Sequence, residues 1–342
     1  MRFGLFDHMD RSGESMSDQY ETRLQILEAC DRAGFYSYHL AEHHGTPLGL
    51  APSPSVFLAA AAQRTKNLRL GALVFTLSLY HPLRILDEIC MLDHLSKGRL
   101  DVGIGRGISP IELGFFGVDP DDAPAIFREM VDILLKGFTS DVLDHRGEHF
   151  TFDKVPIELH PFQKPIPPLW YGLGRPESLD WVAKQGINII GNGPAAMTRR
   201  VTDAYRKFWQ DAGKSAATLP MMGMSRHMII ADTDAEAREL ARPAYQNWID
   251  NLLLLWRKNN IKPTANFPEN FEAADAVGVC LVGSLATVRD KLRVQVSEAG
   301  VNYLLCRVAF GNLPKEAALK TVELVGREIM PMYAERREVA AE

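Results

Sequence analysis

Phe35-Tyr36-Ser37-Tyr38-His39-Leu40-Ala41-Glu42-His43-His44 reads as a short apolar strand emptying into a loop that carries a carboxylate and two adjacent imidazoles. The helix-like stretch before it ends at Gly34. In parallel α/β proteins chemistry collects at the carboxyl ends of strands, because loops there vary without disturbing the core. Histidine titrates near neutrality and exchanges a proton at low cost. Position alone therefore makes Glu42, His43 and His44 candidate catalytic residues.

Outward from this stretch, strand-like runs alternate with helix-period segments. Arg2–Phe6 is a strand and Ser17–Ala33 an amphipathic helix; strands at Tyr36–Leu40, Leu68–Phe75 and Leu100–Ile104 are separated by helices over Pro54–Arg64 and Leu83–Leu95. Helix Ala123–Lys136 precedes an inserted hairpin, Leu143–Phe152, whose His145-Arg146-Gly147-Glu148 is good turn chemistry. Strands Leu169–Tyr171, Ile187–Ile190, Met221–Ala231 and Tyr303–Val308 follow, interleaved with helices Glu177–Lys184, Ala195–Ala212, Ala235–Arg257 and Leu285–Glu298, and closed by helix Glu316–Tyr333. Eight strands each followed by helix, with no linker, predict an α/β fold: one (β/α)8 TIM barrel over 1–342, with loop insertions near 143–165 and 259–277. Asn259–Asp275, polar and bearing Pro and Asn, reads as a mobile excursion.

The 342 residues are 46% hydrophobic and 24% charged with net charge −5, which argues against a nucleic-acid or anionic-membrane partner. No apolar run is long enough to span a membrane and the N-terminus enters a strand without a signal peptide, so a cytoplasmic protein is expected. Cys30, Cys90, Cys280 and Cys306 are far apart in apolar contexts and read as buried thiols.

Gly103-Ile104-Gly105-Arg106-Gly107 is not a dinucleotide fingerprint, since GxGxxG counted from Gly103 lands on Ile108 and from Gly105 on Pro110. What remains is a glycine-rich strand end with one arginine, able to bring backbone close to a ligand and to take a phosphate bidentately. Gly172-Leu173-Gly174-Arg175-Pro176-Glu177-Ser178 runs from strand to helix, and the free amides of that first turn make an anion site to which Ser178 adds a hydroxyl. Adjacent His43 and His44 point to opposite sides and lack a third ligand, so no metal is expected. His145, Glu148 and His149 read as a solvated turn.

These segments together resemble the bacterial luciferase-like flavin monooxygenase family over nearly the whole chain. The resemblance is carried by Ala41-Glu42-His43-His44, by His81-Pro82-Leu83-Arg84 through Leu92-Asp93-His94-Leu95-Ser96-Lys97-Gly98-Arg99-Leu100 to Gly105-Arg106-Gly107, by Val282-Gly283-Ser284, and by the two chain ends. It implies a barrel binding reduced FMN (FMNH2) at its strand ends. His43 matches the family's catalytic histidine, with His44 and Glu42 orienting it. Leu73 and Val74 fall where the third strand passes under the isoalloxazine, often through a non-prolyl cis peptide. Arg106 matches a phosphate-binding arginine, Gly174, Arg175 and Ser178 the second phosphate loop, and Asn192 a position that contacts flavin in some members. Gly105 stands where the luciferase catalytic subunit has cysteine, and Gly174-Arg175 where it has Glu-Ser, departures that weigh against aldehyde luminescence.

The resemblance further implies oxygenation of a small organic substrate by molecular oxygen through a flavin 4a-hydroperoxide, in a pocket lined by Phe6, Phe75, Phe115 and Phe116. A separate flavin reductase would supply FMNH2, because no stretch reads as a pyridine-nucleotide site. A homodimer is expected, although core packing is the safer reading of Met91, Leu92 and Leu95. The alternatives on the same barrel are a deazaflavin-dependent dehydrogenase, a silent flavin binder, and a flavin-free sugar or phosphate-ester enzyme using Asp7, Glu42 or Asp101.

Overall fold

The eight predicted strands form one closed ring in the computed structural model, which describes residues 1–173 and 179–334. They are β1 (Arg2–Asp7), β2 (Ser37–Leu40), β3 (Arg69–Thr76), β4 (Leu100–Gly105), β7 (Leu169–Gly172), β8 (Asn188–Gly191), β9 (Met222–Ala231) and β11 (Tyr303–Arg307). Every pairing around the ring is parallel, and the β8–β9 pair, Ile189 opposite Met222, closes it. The closed barrel leaves no free edge in the ring, which removes the pairing liability of an open sheet.

Local chemistry sets the helices. Ser15 caps α1 (Met16–Ala33) by accepting from the Asp18 amide, and Gly34 ends it in the left-handed conformation at φ 81°. Helices α2 (Pro54–Arg64) and α3 (Pro82–Leu95) open on proline, whose missing N–H is unneeded there. Along α5 (Ala123–Thr139), Phe127, Met130, Val131, Leu134 and Phe138 recur at helical spacing and are buried between helices and barrel. A separate apolar group, Phe6, Ala41, Leu73, Trp170, Ile190, Tyr303 and Leu305, draws side chains from strands right round the ring and therefore fills the barrel interior.

The hairpin is present as β5 (Val142–Arg146) and β6 (Thr151–Pro156), antiparallel to each other. Its turn is not merely solvated: Glu129 of α5 lies 2.9 Å from His145 Nε2 and accepts from the amides of His149 and Phe150 at 2.9 Å. The excursion expected over 259–275 contains the start of a short helix, α9 (Phe271–Ala276), with Phe271 and Ala274 buried against α8 (Asp234–Lys258). One helix, α4 (Pro110–Phe115), was not anticipated. Val282-Gly283-Ser284, which with the helix after it resembles the family's last-but-one βα unit, ends a strand, β10 (Cys280–Ser284), that pairs with the far half of β9 outside the ring. The remaining helices are α6 (Leu179–Gln185), α7 (Ala195–Asp211), α10 (Leu285–Ala299), α11 (Lys315–Leu324) and α12 (Met330–Ala334). All four cysteines are free and buried, and no described helix is long and apolar enough to cross a membrane.

Candidate active site

At the carboxyl end of β2, His43 meets a partner on α4. Its Nδ1 lies 3.2 and 3.3 Å from the two oxygens of Glu112, which also accepts the His44 amide at 2.7 Å. Burial pushes the Glu112 carboxyl up, but the hydrogen bond and charge of His43 and the amide of His44 outweigh it and hold the group below the usual carboxylate range. Glu112 is therefore an acceptor, and Nδ1 of His43 is the donor to it. Nε2 has no hydrogen-bond partner among the described residues. Gly49 packs on the same residue: a Cβ there would lie 2.6 Å from the His43 Cβ, so only glycine lets the loop fold this closely.

His44 and Glu42 form a pair of their own instead of orienting His43. His44 Nε2 is 2.9 Å from Glu42 Oε1, while Oε2 accepts from the Thr76 amide and the Tyr80 hydroxyl, both at 3.0 Å. This buried carboxylate ties the β2 and β3 exits together. The sequence signal for Glu112 was Ser109-Pro110-Ile111-Glu112, a helix-start pattern in which Ser109 accepts the Glu112 amide. The Glu112 carboxylate reaches the histidines rather than the Ser109 backbone.

The Leu73–Val74 peptide is cis, and the β3–β4 register shifts across it. Gly103 and Gly105 serve this irregularity before any ligand, since a Cβ on either would lie 2.3 Å from the Ala72 carbonyl or from Val74 Cγ2. Arg106, just beyond β4, is exposed and has no carboxylate partner among the described residues; its carbonyl accepts from Ser78. Gly174, Arg175 and Ser178 lie outside the described residues.

Three groups at the same mouth escaped the sequence reading. His8, following β1, is buried, stacks on the His43 ring at 5.9 Å between centroids, and accepts from the indole N–H of Trp248 at 3.3 Å. Burial, then the charges of Arg307, His43 and His227, push it well below the ordinary imidazole range, so it is neutral. His227 on β9 is lowered likewise, by burial and then Arg307. Arg307 ends β11 with its guanidinium over Phe6 and donates to Asn192 at 3.0 Å. Asn192 is thus already engaged. The available signal was a polar residue closing an apolar strand, as in Asp7-His8 and Cys306-Arg307.

Of the expected pocket aromatics, Phe6 belongs to the mouth. Phe75 packs in the layer between barrel and helices, and Phe115 and Phe116 are exposed, the latter edge-on to His44. The carboxylates of a flavin-free hydrolase are committed elsewhere: Asp7 to Arg23 at 3.0 Å and Asp101 to Arg69 at 2.8 Å. Among the described residues no His, Cys, Asp and Glu group is arranged to hold a metal.

A closed parallel barrel with a histidine–carboxylate pair at its carboxyl mouth has the architecture of a (β/α)8 barrel enzyme. A family model described as luciferase-like monooxygenase matches residues 1–303, and the chain belongs to that family, as a flavin-dependent oxidoreductase. It is 47% identical over 330 residues to an uncharacterized protein, y4wF, of Sinorhizobium fredii, covering 96% of each chain. It is 30% identical over 270 residues to the oxygenase component of the flavin-dependent trigonelline monooxygenase of Acinetobacter baylyi, covering 76% of this chain and 72% of that one. Among solved structures, the monooxygenase RslO1 of Streptomyces bottropensis superposes with a TM-score of 0.88 at 26% identity, over 97% of this chain and all of that one.

Proposed function

We propose that this chain is the oxygenase component of a two-component monooxygenase, using reduced FMN and molecular oxygen to oxygenate a small organic substrate. The observation that carries the reading is the His43–Glu112 pair, with Nε2 of His43 at the same barrel mouth as the Arg106 guanidinium, both without a partner among the described residues. Bound reduced FMN supplies two electrons, so that one atom of dioxygen enters the substrate and the other leaves as water. The residues present fit that group: Arg106 offers a planar donor fork to a phosphate, and the backbone at Leu73–Val74 offers a surface for the ring system.

His43 moves the proton. Nε2 takes or gives it at the reacting centre while Glu112 holds the tautomer through Nδ1, the division of labour found wherever a carboxylate orients a general base. His44 and Glu42 brace the loop from the other side. Neutral His8 and Trp248 wall the mouth and keep water from it. A separate reductase and a cytoplasmic location complete the reading, in line with the "oxygenase component" name of the Acinetobacter relative. The whole chain acts as one barrel, and a homodimer is expected through α3. There Met91 and Leu95 are exposed, contrary to the core packing the sequence suggested for them, while Leu92 is buried; light scattering tests this.

The deciding experiment mixes the protein and anaerobically prepared FMNH2 with oxygenated buffer in a stopped-flow spectrophotometer. Reoxidation slower than that of free FMNH2, with resolved phases, supports an oxygen-activating enzyme. Reoxidation at the free-solution rate refutes it and turns attention to hydride transfer with a deazaflavin. His43→Ala is expected to bind FMNH2 within about twofold of wild type but to lose the resolved phases.

A further inference from the structure

Arg307 is a buried cation without a counter-ion. Only 8% of its surface is exposed, yet no carboxylate lies within ion-pair distance among the described residues. Its Nη2 donates to Asn192 Oδ1 at 3.0 Å, Nη1 lies 3.3 Å from His227 Nε2, and Nε has no partner. A guanidinium carries five N–H donors, so most of its capacity is unused. The group lies between the Phe6 and Trp248 rings, 5.0 and 5.5 Å from their centroids. Burial pushes its pKa down to about 10, which still leaves it fully charged at neutral pH.

Other buried arginines here are differently placed. Arg23 has Asp7 at 3.0 Å. Arg226, one residue before His227, also lacks a carboxylate and keeps Nη2 unpartnered among the described residues, but its Nε and Nη1 donate to the oxygens of Gln295, Gly193 and Ser225. Arg307 alone of the three faces the mouth beside His8 and His227. His227 also has an unpartnered ring nitrogen, Nδ1. Removing a charge from water without a partner is expensive, and such a group persists where a ligand completes it.

Building on the monooxygenase reading, we infer that Arg307, with Asn192 and His227 holding its plane, receives the carboxylate of the organic substrate, and that the substrate is a small carboxylate on an apolar or aromatic frame. The guanidinium offers a carboxylate two parallel N–H donors, and Phe6 and Trp248 offer flat apolar walls to the rest of the molecule. A reduced isoalloxazine carries a delocalised anion of similar chemistry and is the competing source of negative charge. A neutral substrate would leave the guanidinium uncompensated.

The test titrates the full-length protein, without flavin, with benzoate and with its neutral isostere benzamide, followed by tryptophan fluorescence and calorimetry. Saturable benzoate binding with benzamide at least about tenfold weaker is expected. Arg307→Gln should lose benzoate binding by a similar factor, and Arg307→Lys should fall between. Binding of neither probe, or of both equally, overturns the inference, and this comparison needs no variant. If Arg307→Gln keeps benzoate affinity but weakens FMNH2 relative to oxidised FMN, the guanidinium serves the flavin and the substrate assignment falls. Because the benzoate titration involves neither flavin nor oxygen, its outcome is separate from that of the stopped-flow experiment.

Discussion

Replacing Glu112 by glutamine keeps the shape of the side chain and removes its charge. The carboxylate is mostly buried, with 13% of the side chain exposed, so water screens it little. It accepts from His43 Nδ1 and the His44 amide, and hydrogen bonds to a charged acceptor are worth about 1.5–3 kcal/mol against about 1 for a neutral one. Glutamine presents its carbonyl to one donor and its NH2 to the other, and so no longer dictates which ring nitrogen of His43 bears the proton. The net loss is about 1–3 kcal/mol, or roughly 5- to 150-fold in the oxygen reaction at about 1.4 kcal/mol per decade. Two measurements bear on it. Nitrogen NMR of the histidine ring should show the wild-type Nδ1–H form replaced by a mixture in Glu112→Gln, and stopped-flow should show the rate loss with FMNH2 affinity unchanged. A stability readout has a defined sign. The folded-state pKa of Glu112 is depressed, so its contribution is present above the ordinary value of 4.5 and is lost as pH falls below it. The wild-type advantage in thermal midpoint should therefore close in acid. An unchanged tautomer together with an unchanged rate would refute the positioning role.

Arg106→Ala should weaken FMN binding by about 10- to 100-fold, the loss of a charged bidentate contact, and leave riboflavin affinity unaltered; equal losses for both would remove the phosphate from the argument. Asp10, buried beside Gly311 with one carboxylate oxygen unpartnered, is pushed up to about 7 by burial against the opposing pull of Arg23. Its folded pKa is raised, so the stability it contributes is complete below 3.8, declines as pH rises and is gone above about 7. Asp10→Asn is accordingly expected to raise the melting temperature at pH 8 and to match wild type near pH 4 in calorimetry; the reverse order would contradict the assignment.

The barrel was legible in the chain because the signals that specify it are local. An apolar run of four to eight residues followed by an amphipathic helix is written within some thirty positions, and its repetition predicts the alternation of β1 through β11 and places His43 at a strand exit. The place of Arg106 was legible for the same reason, as a cation at the end of a glycine-bearing strand. The meaning of those glycines was not: Gly103 and Gly105 make room for β3, a neighbour that only sheet pairing supplies. That β10 lies outside the ring was not legible, since its place is set by pairing with the far half of β9, some fifty residues away.

The site was legible only in part, for a related reason. His43 and its partner Glu112 are 69 residues apart, and the signature at Ser109–Glu112 announces a helix start and nothing more. Nor does adjacency in sequence make partners: His44 took Glu42, while His43 turned to α4, because neighbouring side chains leave an extended backbone on opposite sides. His8 just after β1, Arg307 at the end of β11 and His227 midway along β9 belong to three different strands and meet because closing the ring brings them to one rim. Periodicity along the chain determined the barrel and which end of each strand would carry chemistry. Which side chains share a proton or leave a charge uncompensated was decided by closure, since electrostatic and hydrogen-bonded partnership depends on distance in space and leaves no periodic trace in sequence.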